Sequence, residues 1–214
     1  MSVPNTKQQN FWKSDFGQAY TERSIYAPES LDKFYQATYN TTRSEMNSYF
    51  LKDLVIASIL EVGCNVGNQL RLLQQQGYSN LTGIEIQSHA VKRARELTKG
   101  INIIEGSAFA LPFKDSSFDL VFTTGVLIHI SPNDIKAALA EIYRVSKKYI
   151  WGFEYFSDQY QSIEYRGHKD RLWKADFSKI YLDAFPDLRM MKREKYLYTK
   201  NRNIDEMFLL AKQP

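Results

Sequence analysis

The sequence SILEVGCNVGN, residues 58–68, passes from an apolar run into a loop bounded by two glycines, and residues 69–73 continue as an amphipathic stretch. This order predicts a β-strand, a tight turn and an α-helix. In an open α/β sheet such a junction lies at the carboxyl end of a strand, where ligands bind and the first N–H groups of a helix lack intrahelical partners. The turn is therefore the predicted cofactor-binding loop.

The composition is that of one globular domain. The 214 residues are 43% hydrophobic and 14% aromatic, which suffices for a single core. The net charge is only +4, with basic residues scattered among acidic ones, so we expect no nucleic-acid partner. A single cysteine, Cys64, excludes an internal disulfide, and no signal peptide or long apolar span is visible. We expect a cytoplasmic monomer or homodimer with no membrane partner and no metal site.

From residue 55 the chain alternates strand and helix, the pattern of a mostly parallel sheet with helices on both faces. The predicted strands are 55–62, 81–86, 101–105, 118–123 and 149–155. The predicted helices between them are 68–76, 88–99 and 132–145. A polar, aromatic insertion and a helix at 177–184 follow. The chain then closes with strands at 190–198 and 205–211, which we expect to pair as an antiparallel hairpin.

Serine, proline and glycine mark the expected ends of these helices. Ser131 is the predicted N-cap of helix 132–145 and Pro132 its first residue, because serine accepts a bond from the free N–H groups and proline lacks one. Gly77 and Gly100 are predicted to end the two earlier helices, because glycine readily adopts the left-handed conformation found there.

An aromatic pattern precedes this core. Phe11, Trp12, Phe16 and Tyr20 are spaced as on one face of a short helix. Two interpretations stay open, a helix that packs on the core and a lid over a ligand.

Two further helices follow before the core begins. One is predicted at 31–39, and the capping box formed by Thr42 and Glu45 begins the next. We therefore expect one compact domain, made of an N-terminal helical cap at 1–54 and a core at 55–214. The insertion at about 156–176 is predicted to cover the substrate.

The first turn favours a cofactor without phosphate. A dinucleotide-binding turn needs a second glycine so that the backbone can approach a pyrophosphate. Here that place is Asn65, and only Gly63 and Gly67 remain. Asparagine still tolerates a left-handed turn, so the loop can form while a pyrophosphate fits poorly.

Glu85 is the second candidate binding residue. It ends the next predicted strand, 22 positions after Gly63. A carboxylate at about this distance can accept the hydroxyls of a ribose. The alternative is a solvated glutamate at a strand end.

Two more strand ends complete a pattern. They are EGSA at 105–108 and TTGVLIHI at 123–130. With the turn at 58–68 and GIEIQ at 83–87, they resemble the class I S-adenosylmethionine-dependent methyltransferases in order and spacing. The resemblance implies a Rossmann-like, seven-stranded α/β sheet with S-adenosylmethionine as cofactor and S-adenosylhomocysteine as product.

The resemblance also implies a role for each matching residue. The turn after the first strand would line the methionine, Glu85 would hold the ribose, and the next loop would face adenine. The expected cofactor residues, including two of the N-terminal aromatic residues, are Trp12, Tyr20, Glu61, Gly63, Cys64, Asn65, Gly67, Glu85, Ile86, Ser107, Ala108, Thr124 and Gly125. Most members have aspartate where Ser107 stands, so the adenine contact here is expected either to be weaker or to run through the hydroxyl and backbone of this turn. The fourth strand lacks the Asn/Asp-Pro-Pro-Tyr type signature of members that act on DNA or protein amides, which favours a small-molecule acceptor.

A closer resemblance covers nearly the whole chain, to the pseudaminic acid biosynthesis-associated methylases. It rests on FWK at 11–13, EVGCNVGN at 61–68, GIEIQ at 83–87, GVLIHI at 125–130 and the insertion motifs YRGH and LWK at 165–174. The family name indicates a nonulosonic-sugar pathway as the setting, without defining the acceptor.

Four side chains are candidates for a catalytic base: His129, Glu154, Tyr155 and His168. His129 is favoured because it follows the fourth strand and has a near-neutral intrinsic pKa. The alternative for His129 is a packing role.

The insertion supplies the candidate substrate residues Tyr165, Arg166 and Trp173. The guanidinium of Arg166 can clamp a carboxylate or phosphate, or it can pair with a surface acid.

These motifs predict methyl transfer to an oxygen or nitrogen of a small molecule. The alternative is an enzyme that uses the same cofactor for cyclisation or cleavage and releases methylthioadenosine. A nucleic-acid or protein methyltransferase and a binding module without catalysis are less expected.

Overall fold

The computed structural model describes residues 6–213 and contains a seven-stranded sheet with helices on both faces. The strands are β1 (Ile59–Val62), β2 (Leu81–Glu85), β3 (Asn102–Glu105), β4 (Phe118–Thr124), β5 (Ser146–Tyr155), β6 (Gln161–Tyr165), β7 (His168–Lys174), β8 (Leu188–Leu197) and β9 (Ile204–Lys212). The helices are α1 (Lys7–Lys13), α2 (Asp15–Arg23), α3 (Pro28–Tyr39), α4 (Arg43–Leu51), α5 (Asn68–Gln75), α6 (Ser88–Leu97), α7 (Ile135–Val145) and α8 (Phe177–Ala184). A short 3-10 turn, Leu127–His129, follows β4.

The order of the large sheet is β3-β2-β1-β4-β5-β9-β8. The first five strands of this order are parallel. Strand β9 is antiparallel to both of its neighbours, β5 and β8, so β8 has the direction of the first five strands. The expected Rossmann-like fold with a C-terminal hairpin is confirmed. The direction in which strands are added reverses between β1 and β4, and ligands of open α/β sheets bind beyond the carboxyl ends of the strands at such a point.

Two hydrophobic clusters hold the helices on the sheet. On one face, α3 to α6 pack through residues such as Phe50 and Leu70 against Trp151 of β5. On the other face, α7 and α8 pack through residues such as Ile142 and Phe177. The central strands β1 and β2 are therefore buried along their length, as is typical of parallel strands that are covered on both faces.

The N-terminal aromatic stretch forms two helices, and the expectation of one helix is wrong. Ser14 ends α1 and caps α2, since its hydroxyl accepts the N–H of Phe16. The turn brings the backbones very close, because a Cβ on Gly17 would lie 1.9 Å from the carbonyl oxygen of Trp12. The expected capping box of Thr42 on α4 is confirmed.

Several expected boundaries are wrong. The helix expected at 31 begins at Pro28, and the strand expected at 149 begins at Ser146. The first strand begins at residue 59 rather than 55, and Val55 is 79% exposed. The helix expected at 132 begins at 135, because the Ser131 hydroxyl bonds to the carboxylate of Asp134 rather than to a helix N–H. Helix α6 already ends at the extended residue Thr98, two positions before Gly100. Gly77, in contrast, directly follows Gln76, the C-cap of α5, and has a φ of 96°.

The insertion is a hairpin of its own. Strands β6 and β7 form a separate two-stranded sheet, which was not predicted from the sequence. Its turn, Arg166-Gly167, has φ values of 50° and 80°, as in the turns that match strand twist. Residues 1–5 and 214 of the expected cap and core lie outside the described residues, and the division itself stays a prediction. None of the helices within 6–213 is long and apolar enough to span a membrane.

Candidate functional site

One cavity lies at the carboxyl ends of β1, β2 and β4. It measures about 980 Å³ with its open mouth and is bounded by α1, α2 and the loops that follow the strands. The predicted site residues that line it are Trp12, Tyr20, Gly63, Asn65, Glu85, Ile86, Ser107, Ala108, Thr124, Gly125 and His129. The structure therefore brings most of the predicted cofactor residues and one predicted base to a single space.

The glycine turn has the expected left-handed backbone. The φ values of Gly63, Asn65 and Gly67 are 77°, 46° and 77°. A Cβ on Gly63 would lie 2.6 Å from a methyl group of Val126, so glycine is also needed for the approach of the loop after β4. The asparagine in place of a second glycine is compatible with the turn, because Asn adopts this conformation more readily than most residues.

Glu85 joins the turns after β1 and β2. Its Oε2 accepts the N–H of Asn65 at 2.9 Å, and its Oε1 accepts those of Ile86 and Gln87 at 2.8 and 2.9 Å. Burial raises the pKa of Glu85, and the three backbone bonds oppose that rise. A carboxylate oxygen has two acceptor positions, so Oε2 retains one that a hydroxyl inside the cavity can use.

The loop after β3 is tied to the N-terminal helices. The side-chain amide of Gln9 donates to the hydroxyl of Ser107 at 2.7 Å, and both residues line the cavity. The Gln9 carbonyl accepts the N–H of Thr6 at 2.6 Å as part of the capping box that begins α1. Gln9 is not among the predicted site residues, although the Thr-x-x-Gln spacing at 6–9 indicates a helix start.

His129 lies in the cavity wall as a neutral imidazole. Its Nδ1 is 2.7 Å from the carbonyl oxygen of Arg171 on β7. A carbonyl only accepts, so Nδ1 carries the proton and Nε2 is left as the acceptor. Burial lowers the pKa of His129 to about 4, and the ring of Trp12 packs against it with 4.5 Å between ring centres.

Comparison with known proteins agrees with this geometry. Residues 60–149 match the family model described as a methyltransferase domain. This part of the chain is therefore similar to methyltransferase domains, and the sheet described above has the fold of the class I S-adenosylmethionine-dependent methyltransferases. The cofactor of this class is S-adenosylmethionine, so the expected cofactor is confirmed.

Relatives with curated names match part of the chain. The 24-methylenesterol C-methyltransferase 2 of Arabidopsis thaliana is 34% identical over 138 residues, which cover 61% of this chain and 37% of that protein. The 2-methyl-6-phytyl-1,4-hydroquinone methyltransferase of Synechocystis sp. is 37% identical over 93 residues, which cover 42% of this chain and 29% of that protein. The chain thus spans less than two fifths of the length of these relatives.

Solved structures match along nearly the whole chain. The 1,6-didemethyltoxoflavin-N1-methyltransferase of Burkholderia thailandensis, solved with S-adenosylhomocysteine, covers 100% of this chain and 94% of its own at a TM-score of 0.71 and 15% identity. The PH0226 protein of Pyrococcus horikoshii covers 98% of this chain and 100% of its own, at a TM-score of 0.65 and 17% identity. At such identities the similarity concerns the fold.

Three residues expected to line the methionine lie behind the cavity wall. Glu61 is 2% exposed, because its position in β1 turns the side chain into the core. Cys64 packs against Gly83 of β2, where a Cβ would lie 2.6 Å from its Sγ. A Cβ on Gly67 would meet Thr98 at 2.9 Å. These residues shape the turn from behind.

The other candidate bases do not line the cavity. Glu154 is buried and accepts the N–H groups of Val126 and Ile128 at 3.2 and 3.4 Å, so it supports the turn that carries His129. Burial raises the pKa of Glu154 to about 7. Tyr155 is part of a tyrosine cluster on the β8–β9 side. His168 is exposed at the hairpin end of β7 and packs on aromatic rings of α1 and α2.

The candidate substrate residues also lie off the cavity wall. The ring centre of Tyr165 is 5.5 Å from that of His129, which makes it the nearest of the three. Arg166 is exposed at the hairpin turn, with its guanidinium carbon 5.9 Å from the centre of the Tyr165 ring. Trp173 is buried. The hairpin acts on the site through Arg171, whose carbonyl holds His129.

Arg43 was not predicted and lies fully buried beneath the cavity floor. Its Nη2 donates to the hydroxyl of Thr124 at 3.2 Å. Its positive charge also attracts Glu61. Burial raises the pKa of Glu61, and the charge of Arg43 opposes that rise. In the sequence Arg43 stands inside a capping box on a polar stretch, which gave no signal for burial. Within residues 6–213 no group of acidic, histidine or cysteine side chains has the arrangement of a metal site.

Proposed function

We propose that the protein transfers a methyl group from S-adenosylmethionine to an oxygen or nitrogen atom of a small molecule. The observation that carries the proposal is the single cavity that joins the glycine turn and Glu85 to a neutral His129. The first two features suit the cofactor, and the third suits an acceptor that must lose a proton.

The residues divide along the cavity. The backbone of Gly63 and Asn65 would hold the methionine end, and the free acceptor position on Glu85 Oε2 would take a ribose hydroxyl. Ser107 and Ala108 would face adenine. Thr124 and Gly125 would lie beside the methionine amino group near the reacting sulfur.

The bound cofactor supplies a methyl group on a cationic sulfur. The chain supplies alignment and exclusion of water, because in-line transfer needs little covalent assistance. The aromatic faces of Trp12 and Tyr20 on the wall suit a neighbouring cation. The N-terminal helices would therefore act as the lid of the reaction space.

Two lines of similarity bear on the acceptor. The resemblance to pseudaminic acid-associated methylases supports a nonulosonic-sugar pathway as the setting, without defining the acceptor. Relatives named for sterols and for a hydroquinone support a small-molecule acceptor of another kind. Both agree with a small molecule rather than a macromolecule.

The test is incubation with methyl-labelled S-adenosylmethionine and a metabolite extract, followed by mass spectrometry of the labelled product and the spent cofactor. We expect label in a small molecule and release of S-adenosylhomocysteine. The variant Glu85→Ala should lose both, while Gln18→Ala, on an exposed position of α2, should keep both. Label found only in protein or nucleic acid, or methylthioadenosine as the spent cofactor, would contradict the proposal.

A further inference from the structure

The part of the cavity wall beyond Gly125 is apolar except for one imidazole. It is formed by Trp12, Val126, His129 and Ile130, which we call the acceptor wall. Trp12 comes from α1, and the other three follow β4. They lie beyond the end of β4, which would meet the methionine part of the cofactor. Glu85 and Ser107 lie at the other end of the cavity, which would hold the nucleoside part. An acceptor would therefore lie against this wall.

The cavity offers no cation to an acidic acceptor. Among the residues of 6–213 that line it, none is lysine or arginine, and Glu85 is the one carboxylate. Burial raises the pKa of Tyr20 to about 12, so its phenol is neutral. A carboxylate or phosphate on the acceptor would be taken out of water without a charged partner on the wall, which is costly.

Arginines near the site do not line the cavity, and the guanidinium of Arg23 lies over the ring of Tyr20, 5.2 Å from its centre. Arg43 is buried behind Thr124 and donates to Asn47 at 2.8 Å. The guanidinium of Arg171 lies over the ring of Phe11, 5.2 Å from its centre. Neither side chain reaches the cavity surface.

His129 restricts the acceptor further. Its Nδ1 proton is held by the Arg171 carbonyl, so Nε2 is the nitrogen that can take a proton. With a pKa of about 4 it is a weak base. A phenolic hydroxyl, with an ordinary pKa of about 10, is much closer to this range than an alcohol, whose acidity is near that of water at about 15.7.

We propose that the acceptor is an uncharged, planar ring compound that presents a phenol-type hydroxyl to Nε2 of His129, and this inference rests on the proposed function. The ring lies against Trp12 and Ile130. The hydroxyl proton passes to Nε2 as the oxygen–methyl bond forms and the sulfur–methyl bond breaks, with the bonding pair staying on sulfur. The products are an aryl methyl ether, S-adenosylhomocysteine and a protonated His129, which releases its proton to solvent.

Three probes of matched size test this: 2-naphthol, 2-naphthoate and 2-decalol. Binding of each to the complex with S-adenosylhomocysteine is measured by calorimetry, and methylation is measured with labelled cofactor. We expect 2-naphthol to bind about tenfold or more tightly than 2-naphthoate, because the charge of the latter is unpaired. We expect 2-decalol to be methylated about 100-fold or more slowly than 2-naphthol, since an alcohol mismatches the base.

The variant His129→Asn separates positioning from proton transfer. Asparagine retains an N–H donor for the Arg171 carbonyl but has no basic nitrogen. It should bind S-adenosylhomocysteine and 2-naphthol within about twofold of wild type and methylate 2-naphthol about 100-fold more slowly.

The outcomes distinguish the two proposals. If S-adenosylhomocysteine fails to bind, the proposed function fails, and this inference fails with it. If the cofactor product binds but 2-naphthoate binds as well as 2-naphthol, or 2-decalol is methylated as fast, or no probe binds selectively, the inference alone is overturned. Full activity of His129→Asn would also overturn it.

Discussion

The substitution Arg43→Met tests how the floor of the cavity is held. The guanidinium is 0% exposed and donates to Asn47, Tyr35 and Thr124 at 2.8, 3.3 and 3.2 Å. It also lies 5.1 Å from the centre of the Trp151 ring. Methionine fills similar volume but donates no hydrogen bond, so the partners lose their donor and stay buried.

The size of the effect follows from these contacts. Three hydrogen bonds at about 1 kcal/mol each give a loss of about 3 kcal/mol. For a domain of this length, that corresponds to a fall in Tm of roughly 6–12 °C. Arg43 also lowers the pKa of Glu61 against the effect of burial, so the variant leaves a buried carboxyl without its compensating charge. Adding Glu61→Gln should recover about 1 kcal/mol, since a neutral amide costs less to bury than a carboxyl that has lost its charged partner.

The assay is urea unfolding at pH 7.5 of wild type, both single variants and the double variant. Arg23→Met is the matched control, because Arg23 is exposed on α2 and stacks over Tyr20 at 5.2 Å; it should cost less than about 1 kcal/mol. If the effects of Arg43→Met and Glu61→Gln on the free energy of unfolding are additive, the coupling of Arg43 to Glu61 is refuted. Wild-type stability of Arg43→Met would refute the whole account of the floor.

Three further predictions concern the lid and the turn after β4. Gln9→Ala removes the 2.7 Å bond to Ser107 and should weaken S-adenosylhomocysteine binding about fivefold in calorimetry. In Gly17→Ala the added Cβ would lie 1.9 Å from the carbonyl oxygen of Trp12. Helix α1 must therefore shift away from α2, and its proteolysis should be faster. Burial raises the pKa of Glu154 from 4.5 to about 7, so between these pH values the folded protein keeps a proton that the unfolded chain releases. As the pH rises through this window, the stability of wild type should therefore fall by about 3 kcal/mol relative to that of Glu154→Gln.

Matched comparisons make these outcomes decisive. Gln18→Ala, on an exposed position of α2, should leave both cofactor-product binding and proteolysis unchanged. An equal effect of Gln9→Ala and Gln18→Ala would contradict the role of the contact with Ser107. The lowered pKa of His129 has the opposite effect on stability. Its contribution to stability is lost as the pH falls from 6.5 to about 4. It is present in wild type and in Glu154→Gln alike, so parallel pH curves would refute the burial effect on Glu154.

Local chemistry of the chain determined the fold and the frame of the site. Apolar runs separated by glycine turns predicted the parallel strands, because strand and helix periods are visible within a few residues. Gly63, Glu85 and His129 were found because a strand end brings the residues that follow it to the same edge of a sheet. For these three, sequence position alone decided their place on the cavity.

Only the tertiary structure decided which side chains face the cavity. Glu61 follows the pleat of β1 into the core, although it is two residues from a lining glycine. Gln9 reaches Ser107 across 98 positions, and Arg43 reaches Thr124 across 81. Such contacts depend on how the N-terminal helices pack on the finished sheet. Periodicity reports the local backbone, whereas the direction of a side chain and its distant partners are set by packing.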